Sequence, residues 1–221
     1  MRPESSDATY NAMHTRNTKR LGFWQGVFNS VVDRAIAAND LPAYFARATV
    51  EEIAEYCGRA REKMLIAGDA AITKVRAHNV QVFQTLRDAA TDQVIGMTAV
   101  LPLTQAGVEA ITSGGFDAAN PDVAHITRSI ERPRAFYFWL IYTPGTFWRA
   151  LEPMAAMFRE MSPDACPIFS RAVNEQSARL QALIGFRQAK ERYPSAPDWL
   201  LVAAPDRKPG GGGGWVGAAS I

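Results

Sequence analysis

The stretch over residues 166–188, "CPIFSRAVNEQSARLQALIGFRQ", passes from an apolar run into a helix and out again. Asn174 stands at the junction, where its side-chain oxygen can accept from backbone N–H groups two or three residues on. Gly185 can take the left-handed conformation that ends a helix, folding Phe186 back toward Leu180 in a Schellman-type contact. The stretch therefore predicts a strand over 167–173, a helix over 174–184 and a strand that resumes at 186. Local capping physics accounts for all of it.

Working back along the chain, "AFYFWLIY" (135–142) is its most apolar run, and the aromatic and β-branched content suits a strand buried on both faces. Pro144 and Gly145 end it. Thr146 can then cap a helix that carries Leu151, Met154, Phe158 and Met161 on one side, with Pro153 removing a backbone donor inside it. Further upstream, "HNVQVFQTLRD" alternates, "AATDQ" turns and "VIGMTAVLPL" runs apolar, which predicts an antiparallel hairpin. Residues 104–129 are broken by glycine and proline and predict short helices.

Nearer the N-terminus, Phe23, Trp24, Val27, Phe28, Val31, Val32 and Ile36 fall at helical spacing, predicting a helix over 22–37. A second helix is expected over 49–66, with Thr49 as its N-cap, acidic residues first and basic residues later, as the helix dipole prefers. Strands near 186–192 and 198–203 close the domain. Residues 1–20 are polar and aperiodic, and the tail "PDRKPGGGGGWVGAASI" holds a glycine run whose backbone entropy opposes fixed structure. The expected organisation is a flexible segment over 1–20, one domain over 21–203 with a helical part (21–68) and a sheet core (75–203), and a flexible tail over 204–221. The fold class is mixed α/β, of the α+β kind.

Charge is nearly balanced, 24 Lys+Arg against 22 Asp+Glu, and is not gathered into a stripe, which argues against nucleic-acid binding. The two cysteines, Cys57 and Cys166, stand far apart with no CxxC or HxxxH spacing, so neither a metal site nor a disulfide framework is expected. No apolar run approaches the roughly 18 residues a membrane span needs, and no leader pattern is present. The expectation is a cytoplasmic protein.

"FSRAVNEQSARLQALIGF" resembles the C-terminal half of the GNAT superfamily of acyl-CoA-dependent N-acyltransferases, in which a strand runs into an asparagine-started helix that closes on a Leu/Ile-Gly-Phe turn. The hairpin, the central strand 135–142 and the loop and helix after it follow the same order, so the likeness covers residues 75–203. It implies a GNAT-like mixed central sheet with helices on both faces, to which this chain adds an N-terminal helical segment. It also implies a parallel strand pair, 135–142 and 167–173, that splays at its C-terminal ends. An open strand edge offers unpaired donors and acceptors, and a helix N-terminus offers N–H groups to anions.

On this resemblance, the pantetheine arm of acetyl-CoA or a longer acyl-CoA would pair with the backbone of Ile141 and Thr143 and with the side chain of Asn174. Its pyrophosphate would rest on residues 145–149, which include Gly145, Thr146 and Arg149. Tyr142 and Glu131 are the candidates for moving protons. The acceptor would be an amine, and no metal is implied. The chain departs from the family in two places. "PGTFWRALEP" has one glycine where the phosphate loop of the family has more, and Gln181 stands where many members carry a tyrosine acid. The first departure makes acyl-carrier protein an alternative donor, with Arg128, Arg132, Arg134 and Arg149 as its docking candidates. Both together leave a non-catalytic GNAT-fold binding module as the alternative function. His125, in "DVAHITRS", is readable as a general base, but a lone histidine beside a loop is more often a structural or solvent-facing residue. The apolar helices 22–37 and 49–66 would cover a sheet edge or form a homodimer interface.

Overall fold

The computed structural model describes residues 42–128, 131–161 and 166–204. The expected helix over 22–37, the segment 1–20 and the tail from 205 onward lie outside the described residues. The described part is a mixed α/β fold built on one seven-stranded sheet. Its strands are β1 (Ala43–Arg47), β2 (Phe83–Asp88), β3 (Val94–Leu103), β4 (Ala135–Tyr142), β5 (Ile168–Arg171), β6 (Arg187–Gln188) and β7 (Leu200–Ala203), in the spatial order β1-β2-β3-β4-β5-β7-β6. Every adjacent pair is antiparallel except β4 and β5.

Helices cover both faces. On one side α1 (Val50–Arg61), α2 (Asp69–His78) and α3 (Gln105–Thr112) bury Ile53, Ile72 and Ile111 in a core shared with Met97, Tyr137 and Phe169. On the other, α4 (Phe147–Met161) sets Leu151, Met154 and Phe158 against Phe136, Phe138 and Ile168, and Ile184 at the end of α5 (Glu175–Leu183) joins them. The helical spacing of the α4 residues is what turns them to a single face. Among the described residues, no helix is long and apolar enough to cross a membrane.

The ends of α5 follow the local chemistry. Asn174 accepts from the Ser177 backbone N–H at 2.8 Å, and the Ser177 hydroxyl oxygen in turn accepts from the Asn174 N–H at 3.0 Å. At the other end Gly185 has φ 92°, its N–H donates to Ala182 O, and Phe186 N–H donates to Gln181 O at 3.0 Å. That pair of bonds is a Schellman cap. Thr49 caps α1 as expected, and Glu52 completes a capping box with it.

Elsewhere the expectations need correcting. The helix over 49–66 stops at Arg61, and α2, which has only Ala71, Ile72 and Val75 buried, follows it. Strand β1 lies inside the block expected to be helical. Residues 79–82 form a turn, so β2 begins at Phe83, and the strand near 186–192 shrinks to two residues followed by a 3-10 turn.

The largest departure from regular strand geometry lies in β4. Its register against β3 slips between Ala99 and Val100, so that Ala99 faces Leu140 and Val100 faces Phe138 while Trp139 has no partner. This is a bulge on β4, and it reverses the alternation of faces beyond it. Trp139 and Leu140 both pack into the core beneath α1–α3. Tyr137 and Tyr142, which strict alternation puts on opposite faces, therefore lie on the same one.

Candidate functional site

The parallel pair β4 and β5 is laddered at two positions, Phe136 with Ile168 and Tyr137 with Phe169. Beyond them the strands part. β4 runs on to Tyr142, held by β3 through Met97, while β5 runs on to Arg171, held by β7 through Leu200. The result is a wedge that opens at the C-terminal ends of both strands and starts well before Tyr142.

Main-chain direction within the wedge follows from two hydrogen bonds. Phe136 N–H donates to Pro167 O at 2.9 Å, so Pro167, just before β5, and Phe169 and Arg171 within it turn their main-chain groups toward β4. On β4 the bulge shifts the parity. Leu140 O accepts from the Thr98 hydroxyl at 3.0 Å on the β3 side, and the main-chain groups of Ile141 consequently face away from β3, toward the wedge. Without the bulge, Leu140 and Tyr142 would take that role. Thr143 has its carbonyl committed to a turn, accepting from Thr146 N–H at 3.1 Å.

The loop that follows is Pro144, Gly145 (φ 71°) and Thr146, and then α4 begins. The Thr146 hydroxyl donates to Ile95 O at 3.2 Å, which ties the loop to β3. Arg149 turns away from the wedge. Its guanidinium donates to Asp88 at 2.5 Å and to Pro42 O at 3.3 Å, at the β1–β2 edge of the sheet. Asp88 also accepts from the N–H groups of Ala90 and Thr91, and these bonds with Arg149 hold its carboxyl down to about 2. Phe147 packs on the second core, and Trp148 is exposed.

Of the candidates for moving protons, Tyr142 lies at the wedge end of β4, its ring edge-on to Tyr56 at 6.4 Å. Glu131 lies before the other end, where its carboxylate accepts from Arg128 N–H at 2.9 Å. At about 3.3 Å per residue, the length of β4 alone sets the two roughly 23 Å apart. The structure does not bring them together. Glu131 instead borders a separate groove of about 790 Å³, with Arg128 and Arg132, between α4 and the face of β1 and β2. The four arginines also divide: Arg128, Arg132 and Arg134 precede β4, and Arg149 follows it. His125 packs its ring against Phe116 at 5.9 Å, and its carbonyl accepts from Thr104 N–H. Tyr137 is buried, and its hydroxyl is pushed up to about 12 by the loss of water.

On the β5 side, Asn174 is exposed and spends its side-chain oxygen on the helix cap. Gln181, seven residues and about two turns further along α5, reaches β5 itself. Its Nε2 donates to the Ser170 hydroxyl at 2.9 Å and lies 3.5 Å from Arg171 O. In the sequence Gln181 stands out only as a departure from the tyrosine that many GNAT members carry. Its contact with Ser170 is a tertiary pairing that no local pattern announces. Among the described residues, no cluster of His, Cys, Asp or Glu is arranged to hold a metal ion. The chain matches no protein-family model, no curated protein and no solved structure.

Proposed function

We propose that this protein is a GNAT-like N-acyltransferase that moves an acyl group from a pantetheine thioester to an amine. One observation carries the reading: β4 and β5 part after two paired positions, leaving the main chain of Ile141 on an open strand edge. An edge of this kind binds an extended chain bearing amides by the same bonds that build a sheet. The pantetheine arm is such a chain. Its carbonyl would meet the Ile141 N–H, and the NH2 of Asn174 would reach a second acceptor on it.

With Arg149 held by Asp88 and the Thr146 N–H bonded to Thr143 O, a pyrophosphate would rest on the backbone N–H groups of Gly145 and of the start of α4, aided by the helix dipole. Tyr142 is the group at the wedge that could pass a proton, whereas Glu131 belongs to the far end of the strand. Acetyl-CoA, longer acyl-CoAs and acyl-carrier protein are all donors of this chemical class.

A melting series tests the reading. Specific stabilisation by at least one of these donors, growing as RT ln(1+[L]/Kd), is expected. A folded sample that responds to none of them overturns the acyltransferase and leaves the binding module in its place.

A further inference from the structure

The β5 side of the wedge carries a buried acceptor without a donor. Gln181 Oε1 is shut off from solvent and has no hydrogen-bond partner. The rest of the residue is fixed. Its main-chain oxygen takes the Phe186 N–H of the Schellman cap, and its Nε2 is bonded to Ser170, which is itself 2% exposed. The proximity of Nε2 to the Arg171 carbonyl sets the amide orientation, since the flipped side chain would turn oxygen against oxygen. By strand parity, that carbonyl faces β4. Gln181 therefore stands on the β5 edge that β4 has left, with its donors spent and its acceptor unspent.

A group in this state selects for one kind of partner. It takes an N–H or O–H and rejects a carbonyl, a thiolate or a phosphate oxygen. Leaving it unpaired while buried costs on the order of 1–3 kcal/mol. We infer that Gln181 is a specificity-determining residue of the wedge, accepting a hydrogen bond from an amide N–H of the thioester donor. This rests on the acyltransferase reading and narrows it: the donor must carry an amide where its arm passes Gln181. It also removes Gln181 from the proton-transfer step, because an acceptor-only amide can neither protonate the departing thiolate nor stabilise its charge.

The test compares two small donors that differ at one atom, S-acetyl-N-acetylcysteamine and its ester analogue with oxygen in place of the amide N–H. Their Kd values are read from melting series on the wild-type chain and on Gln181→Met, which keeps the volume but removes both polar groups. Loss of one hydrogen bond predicts about tenfold tighter binding of the amide by wild type and a ratio near one for the variant. The variant removes the orphaned acceptor but also the donor to the buried Ser170 hydroxyl, so the two effects on its melting temperature oppose each other, and the role of Gln181 is read from the Kd ratio alone. Binding of both donors with the same ratio in the two proteins overturns the role of Gln181 while leaving the acyltransferase standing. Binding of neither donor, nor of acetyl-CoA, to wild type overturns both.

Discussion

Arg149 and Asp88, 61 residues apart in the chain, form an ion pair at 2.5 Å in which both side chains are nearly buried, at 11% and 14% exposure. It joins the start of α4 to the end of β2. The carboxyl of Asp88 sits near 2, below the usual carboxylate value of about 3.9. A depressed carboxylate stabilises the fold fully above its unfolded value, and that contribution is lost as pH falls through the folded one. Wild type should thus lose melting temperature between about pH 4 and pH 2 through this group. Asp88→Asn should melt lower at pH 7 and show a flatter profile across that window, measured by circular dichroism. A variant profile parallel to wild type would remove the pair from the account of acid stability.

Phe158 anchors α4 to the sheet, with its ring 4.9 Å from Phe136 and 5.6 Å from Phe138 and no exposure to solvent. Truncation there removes aromatic contacts and leaves a cavity that close-packed neighbours fill only in part. Phe158→Ala should cost about 3–5 kcal/mol in urea denaturation. Phe158→Leu should cost less, because it retains more of the volume.

The parts of the fold that could be read from the chain are those with a local signature. Asn174 and Gly185 announce both ends of α5, and the unbroken apolar run 135–142 announces β4 to the residue. What could not be read depends on distant partners. The bulge at Trp139 arises from the register with β3, and nothing in "AFYFWLIY" marks it, yet it decides which residues face the wedge. The strand "AYFAR" is an edge whose burial does not alternate, so it lacks the period-two signal. The site belongs with the latter. That Ile141 faces the wedge depends on the bulge, and the Gln181–Ser170 and Arg149–Asp88 pairings likewise appear only when the chain is folded.

Gly185 stops α5 with φ 92°, a conformation in which a β-carbon crowds the neighbouring carbonyl. Gly185→Ala should therefore cost about 1–2 kcal/mol by urea denaturation. The loss would fall on the Schellman cap, and with it on the Phe186 ring 6.0 Å from Phe138. A neutral outcome would mean that the turn relaxes to another form without loss.

Gly96 supports the wedge from β3. A β-carbon there would stand 2.8 Å from the Thr143 methyl, 3.0 Å from the Tyr142 carbonyl oxygen and 3.1 Å from the Thr143 Cα. The methyl can rotate away, but the two main-chain atoms move only if the end of β4 moves. Overpacking of this kind typically costs about 1–3 kcal/mol. Gly96→Ala should lose stability in that range and should weaken stabilisation by thioester donors, because Ile141 and Thr143 shift with the strand end. Adding Thr143→Ser removes the methyl contact alone. The double variant should accordingly regain only part of the stability and little of the donor response, read in the same melting series. Full recovery of both would show that the side-chain contact was the whole obstacle and that the end of β4 had not moved.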